Sequence, residues 1–134
     1  MKTGKPIIIG CDHAAYELKE KIKVYLTDKG YRLEDAGTKS QASVNYVDFG
    51  KKVARAVSIG QYSKGILLCG TGLGMSMVAN RFVNVRAALC SDVFGAKMSR
   101  LHNDANILVL GGRVLGDILA RSEERRVGKE CRSR

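Results

Sequence analysis

Proline occurs once in this chain, at position 6, and the sequence has no Cys-x-x-Cys pair and no apolar run approaching the length of a membrane span. One proline leaves no proline-rich linker to divide the 134 residues, and with 45% hydrophobic residues they fit a single domain with its own core. The four cysteines, Cys11, Cys69, Cys90 and Cys131, lack paired spacing and so fit a reducing compartment. The basic start, residues 1 to 6, is followed by only three isoleucines, too few for the apolar part of a secretion signal or for a membrane span. The expected location is therefore the cytoplasm, with no membrane partner.

Acidic residues are also scarce, 13 against 23 lysines and arginines, for a net charge of +10. Residues 121 to 134 hold six of the basic and three of the acidic residues, leaving +7 for the rest. A charge of that size can draw nucleic acid, yet the basic residues are scattered through helical stretches, with no aromatic-basic interleaving and no base-reading motif. Nucleic acid is not the expected partner, and an anionic small substrate accounts for the charge equally well.

What the chain does contain is an alternation of two patterns. Apolar runs predict strands over 7–10, 31–34, 65–69, 85–90 and 107–110. Amphipathic stretches predict helices over 14–29 (apolar stripe Leu18, Ile22, Tyr25, Leu26) and 47–59 (Phe49, Val53, Ala56, Val57). Further helices are expected over 73–82, after Ser91 as cap, where Val93, Phe94, Ala96 and Met98 follow, and over 114–120. Wholly apolar strands between amphipathic helices predict a parallel sheet covered on both faces, with ligands bound beyond the carboxyl ends of the strands. Residues 11–13, 69–74 and 111–113 fall there. The polar segment 35–45 is long for a strand-helix connection and is expected to serve a site.

The strand ends carry the chemistry. Cys69 is followed by Gly70-Thr71-Gly72-Leu73-Gly74, so a thiol stands at the start of a helix, where the thiolate is favoured and unpaired N–H groups with the Thr71 hydroxyl can form an oxyanion hole. The G-x-G-x-G spacing, after the third strand, does not match the dinucleotide pattern G-x-G-x-x-G. Asp12 can orient a hydroxyl and His13 can donate to an anion; His102, beside Asn103, is a candidate general acid or base; Arg113, after two glycines, is placed for a phosphate. Each also has a plainer reading: a buried strand-end cysteine, a capping aspartate with a surface histidine, a solvated helix-end histidine, an exposed arginine. No ligand spacing supports zinc. As a set, these groups suit proton transfer on a small sugar phosphate.

Taken in order, Gly10-Cys11-Asp12-His13-Ala14, the run from Gly65 through Gly74, Ser99-Arg100-Leu101-His102-Asn103-Asp104-Ala105-Asn106 and Gly112-Arg113-Val114 resemble the ribose 5-phosphate isomerase B family, which includes the galactose 6-phosphate isomerase subunits. The resemblance covers residues 5 to 120. It implies a three-layer, Rossmann-like α/β fold with a five-stranded parallel sheet, sites at a dimer interface (a homodimer, or a dimer of dimers), and no metal or cofactor. It implies aldose-ketose isomerisation, with ribose 5-phosphate and ribulose 5-phosphate favoured over a galactose 6-phosphate isomerase subunit or a non-catalytic subunit. By resemblance Cys69 is the base, His102 opens the ring, and Thr71, Gly70, Gly72 and Gly74 form the anion hole. Asp12, Tyr46 and Asn103 contact the sugar, while His13 and Arg113 lie on the phosphate side. Val47 stands where the family usually has proline, which alters loop rigidity more than chemistry. The family continues past Ala120 with a last helix and further arginines, whereas residues 121–134 lose apolar periodicity. The isomerase domain is thus expected over 1–120, and the remainder as a solvated tail of foreign origin.

Overall fold

The computed structural model describes residues 6–37 and 46–113. Strand β1 (Ile7–Cys11) leads through a 3₁₀ turn (His13–Ala15) into α1 (Tyr16–Asp28), followed by β2 (Leu33–Asp35), α2 (Tyr46–Ser58), β3 (Gly65–Cys69), α3 (Leu73–Ala79), β4 (Ala87–Leu89), α4 (Val93–Leu101) and β5 (Ile107–Gly111). All pairings are parallel, in the order β2-β1-β3-β5-β4.

Side chains on a strand alternate between faces, so each apolar strand feeds two cores. On one face Ile9, Ile66, Leu68, Leu108 and Leu110 pack with Leu18, Ile22 and Leu26 of α1 and Ala96 of α4. On the other, Ile8, Leu67, Cys69, Ile107 and Val109 pack with Val53, Ala54 and Val57 of α2 and Met75 and Ala79 of α3. This is the expected three-layer α/β architecture, a five-stranded parallel sheet between two helical layers.

Several boundaries differ from expectation, each for a local reason. Tyr31 and Arg32 do not begin β2, because the Tyr31 N–H closes α1 by donating to Leu26 O at 3.0 Å. The first helix starts at Tyr16, since Asp12 accepts from Ala14 N at 3.0 Å and caps a 3₁₀ turn instead. Helix α3 stops before Asn80, whose side chain both accepts from Ala87 N and donates to Ala87 O, at 2.8 and 2.9 Å. Strand β4, at the sheet edge, keeps only three of the six residues expected. Asp92 rather than Ser91 caps α4: it has extended backbone and its carboxylate accepts from Gly95 N at 2.6 Å, which suits a negative group at a helix start. The expected helix at 114–120, the tail and most of the 35–45 segment lie outside the described residues.

Candidate active site

The buried strand β3 ends at Cys69, which is 6% exposed. The chain then turns through Gly72, whose φ of 86° is costly for any residue with a Cβ, and enters α3. That turn aims the Gly72 N–H at Cys69 Sγ, 3.1 Å away. Thr71 is exposed and its Oγ1 accepts from Leu73 N at 3.2 Å; Gly74 lies in the first turn of α3.

Strand β5 supplies the adjoining wall. Gly112 N donates to Cys69 O at 2.7 Å and Arg113 N to Gly70 O at 2.9 Å, extending the ladder past both strand ends. Arg113 lies over Gly70, where a Cβ would stand 3.4 Å from Arg113 Cδ. Gly111, which the sequence places at this edge without giving it a role, is a contributor: a Cβ there would come within 2.5 Å of Thr71 O, so only glycine lets the loop lie this close. The glycine pair ending an apolar run is the signal that could have revealed it.

On the other side lies the end of β1. Asp12 N donates to Leu68 O at 3.2 Å, and the Asp12 side chain is 8% exposed. His13 Nδ1 is buried with no hydrogen-bond partner among the described residues. The His13–Ala15 turn abuts the β5 end, since a Cβ on Gly112 would meet Ala15 Cβ at 3.1 Å. Cys69, Thr71, Asp12, His13 and Arg113 thus share one edge, around the crevice between β1 and β3 where the strand order reverses. The other described thiols differ in setting. Burial pushes the Cys11 thiol up to about 12, with Lys19 only partly opposing it, and Cys90 is buried with Sγ 3.7 Å from Ala88 O.

His102 and Asn103 are at the other end of the sheet. Helix α4 runs antiparallel to the strands, and His102, its C-cap, is exposed. The chain then enters the amino end of β5, where Asn106 O accepts from Gly65 N at 2.9 Å. The length of β5, roughly 13 Å at 3.3 Å per residue step, separates this turn from the Cys69 edge. Within one chain the two groups are not brought together. A groove of about 460 Å³ along the β4 edge has Arg86, Leu89, Cys90, Met98 and Asn103 in its wall, away from Cys69. The backbone of Tyr46 opens α2, and its side chain lies outside the described set. Among the described residues no group of three or more His, Cys, Asp or Glu side chains could hold a metal ion. Nor is any helix there long and apolar enough to cross a membrane.

The pattern of the Ribose/Galactose Isomerase family matches residues 7–125. The chain is 44% identical over 117 residues to ribose-5-phosphate isomerase B of Escherichia coli (strain K12), covering 87% of this chain and 78% of that protein. A solved structure of the Clostridium thermocellum ribose-5-phosphate isomerase B superposes with a TM-score of 0.91 at 49% identity, covering 92% of this chain and 84% of the other. The Thermotoga maritima enzyme gives 0.85 at 48% identity, with 93% and 96% covered. By the extent of the family match, the sequence identities and the superposed fold, this chain belongs to the ribose/galactose isomerase family.

Proposed function

We propose that the protein interconverts ribose 5-phosphate and ribulose 5-phosphate by acid-base proton transfer through an enediolate. The observation that carries this reading is Cys69 at the end of β3, with a backbone donor on its sulfur and the ends of β1 and β5 on either side. Cys69 takes the C2 proton of the open-chain aldose and returns it at C1, while the proton on O2 passes to O1. The negative charge on the intermediate oxygen is held by the Thr71 hydroxyl and the N–H groups of Gly70 to Gly74. Hydrogen moves only within the substrate, so the reaction balances with no redox cofactor. Asp12, Tyr46 and Asn103 hold the sugar hydroxyls, and His13 and Arg113 the phosphate. Cytoplasmic residence suits cysteines such as Cys11 and Cys69 that form no disulfide.

His102 opens the furanose by passing a proton to the ring oxygen as the bond from C1 to that oxygen breaks and the C1 hydroxyl releases its proton to solvent, leaving the aldehyde. Because it lies at the opposite end of the sheet from Cys69, the complete site takes His102 and Asn103 from a second copy of the chain, which makes a homodimer the working unit. Incubation with ribose 5-phosphate in deuterated water is expected to give ribulose 5-phosphate carrying deuterium at C1, and Cys69→Ala neither product nor label. Absence of both with the parent chain would overturn the enzyme assignment, and faster turnover of galactose 6-phosphate would overturn the pentose assignment.

A further inference from the structure

We propose that Arg86 is a positioning residue for the His102–Asn103 turn and, through it, for opening of the sugar ring; the inference rests on the role given to His102 above. Arg86 lies one residue before β4, yet its Nε donates to the backbone carbonyl of Asn103 at 2.6 Å. Its own backbone is fixed from the same turn. Arg86 N donates to Asn106 Oδ1 at 2.8 Å, Asn106 N donates back to Arg86 O at 3.0 Å, and Asn106 Nδ2 donates to Asn84 O at 2.8 Å. The inner half of the turn is tied to α4, with Ala105 N donating to Ser99 O at 2.8 Å and Arg100 Nη1 donating to Ala105 O. Arg86 reaches the outer half, where His102, Asn103 and Asp104 are all exposed and Asp104 turns through a φ of 51°.

An exposed turn with a left-handed residue can swing, and a proton donor displaced by about 1 Å can lose roughly a hundredfold in rate. A cationic donor on the carbonyl of Asn103, the residue after His102, limits that swing without touching the substrate. Arg86 acts in this way on the ring-opening step and leaves proton transfer at Cys69 alone.

The test compares two substrates. Ribose 5-phosphate must be opened, whereas erythrose 4-phosphate carries its phosphate on the hydroxyl that would close a five-membered ring and needs no opening. Arg86→Met is expected to lower kcat on ribose 5-phosphate about 10- to 100-fold and on erythrose 4-phosphate less than about threefold. Arg86→Lys, which keeps a cationic donor, should recover part of the loss. On ribose 5-phosphate the double variant with His102→Ala should be no slower than His102→Ala alone, because Arg86 acts through that histidine. Equal losses on both substrates, or additive losses in the double variant, would overturn the proposal while His102→Ala itself remained selective. A His102→Ala variant that slowed both substrates alike would overturn the ring-opening role instead. Should Arg86→Met fail to fold, Arg86→Gln must show the same substrate split, and no split there overturns the inference.

Discussion

Three described thiols in one small domain have different surroundings. Cys69 has a backbone N–H on its sulfur at a strand end beside solvent-facing groups; Cys11 and Cys90 point into the core shared with α1 and α4. Burial raises the Cys11 thiol from 9.0 to about 12, so the folded protein keeps a proton there that the unfolded chain gives up. The stability linked to this group is complete below pH 9 and declines as pH rises from 9.0 toward about 12. Urea titrations at pH 8 and pH 10 should show a smaller alkaline loss for Cys11→Ala than for the parent. Equal losses would mean that Cys11 ionises as readily in the fold as outside it. At this scale the setting of Cys69 was legible, because the glycines that follow it dictate a turn around the sulfur. The hydrogen bond from Arg86 to Asn103 O was not, since the partner carbonyl lies 17 positions on and no motif joins them.

At the scale of elements, the three central strands were legible to within one residue because each is dominated by an apolar run; β1 and β5 extend one residue further, through Cys11 and Gly111. The edge strands were not. The start of β2 is given up to the Tyr31 N–H that closes α1, and β4 is bounded by side chains from other elements, Asn80 on Ala87 and Asn106 on Arg86, which act only once the sheet is assembled. Helix α1 shows the same gap between pattern and structure. Lys19 reads as one of the charged residues beside the apolar stripe, yet it is 0% exposed and donates to Asp35 Oδ2 at 2.7 Å and to Gly37 O at 3.2 Å, while Lys23 donates to the same Asp35 oxygen at 2.7 Å. This network pins the end of β2 to α1 where the chain leaves for Tyr46. Burial disfavours the Asp35 carboxylate, but hydrogen bonds from Lys19, Lys23 and Gly37 N outweigh it and hold the group below its ordinary range. Its stabilisation is therefore present at neutral pH and is lost as pH falls through that depressed value. Asp35→Asn should cost about 2 kcal/mol at pH 7, less than for a fully enclosed pair because Asp35 keeps some solvent contact. The difference from the parent should shrink by pH 3 in urea titrations. A gap unchanged with pH would assign the loss to packing instead.

Across the whole molecule, parallel topology separates what the sequence brings together as motifs. The strand ends at Cys11, Cys69 and Gly111 share one edge because every strand points the same way. The helices run back, so a residue capping α4 is carried to the far edge. The sharing of an edge by Asp12, Cys69 and Arg113 could be anticipated from strand patterns alone. The distance of His102 from Cys69 required the sense of α4 relative to β5, which no local pattern states.

With the site shared between two chains as proposed above, that separation makes genetic complementation possible between two damaged chains. In a homodimer assembled from one Cys69→Ala chain and one His102→Ala chain, one site loses both groups, while the other draws its cysteine from the second chain and its histidine from the first and is whole. Equal amounts of the two variants, unfolded and refolded together, should form mixed pairs about half of the time and restore about a quarter of the sites. Two preparations that are each deficient on ribose 5-phosphate would then regain activity on co-refolding. If both groups served one site from the same chain, every site in the mixture would carry a defect and the rate would stay at that of the separate variants.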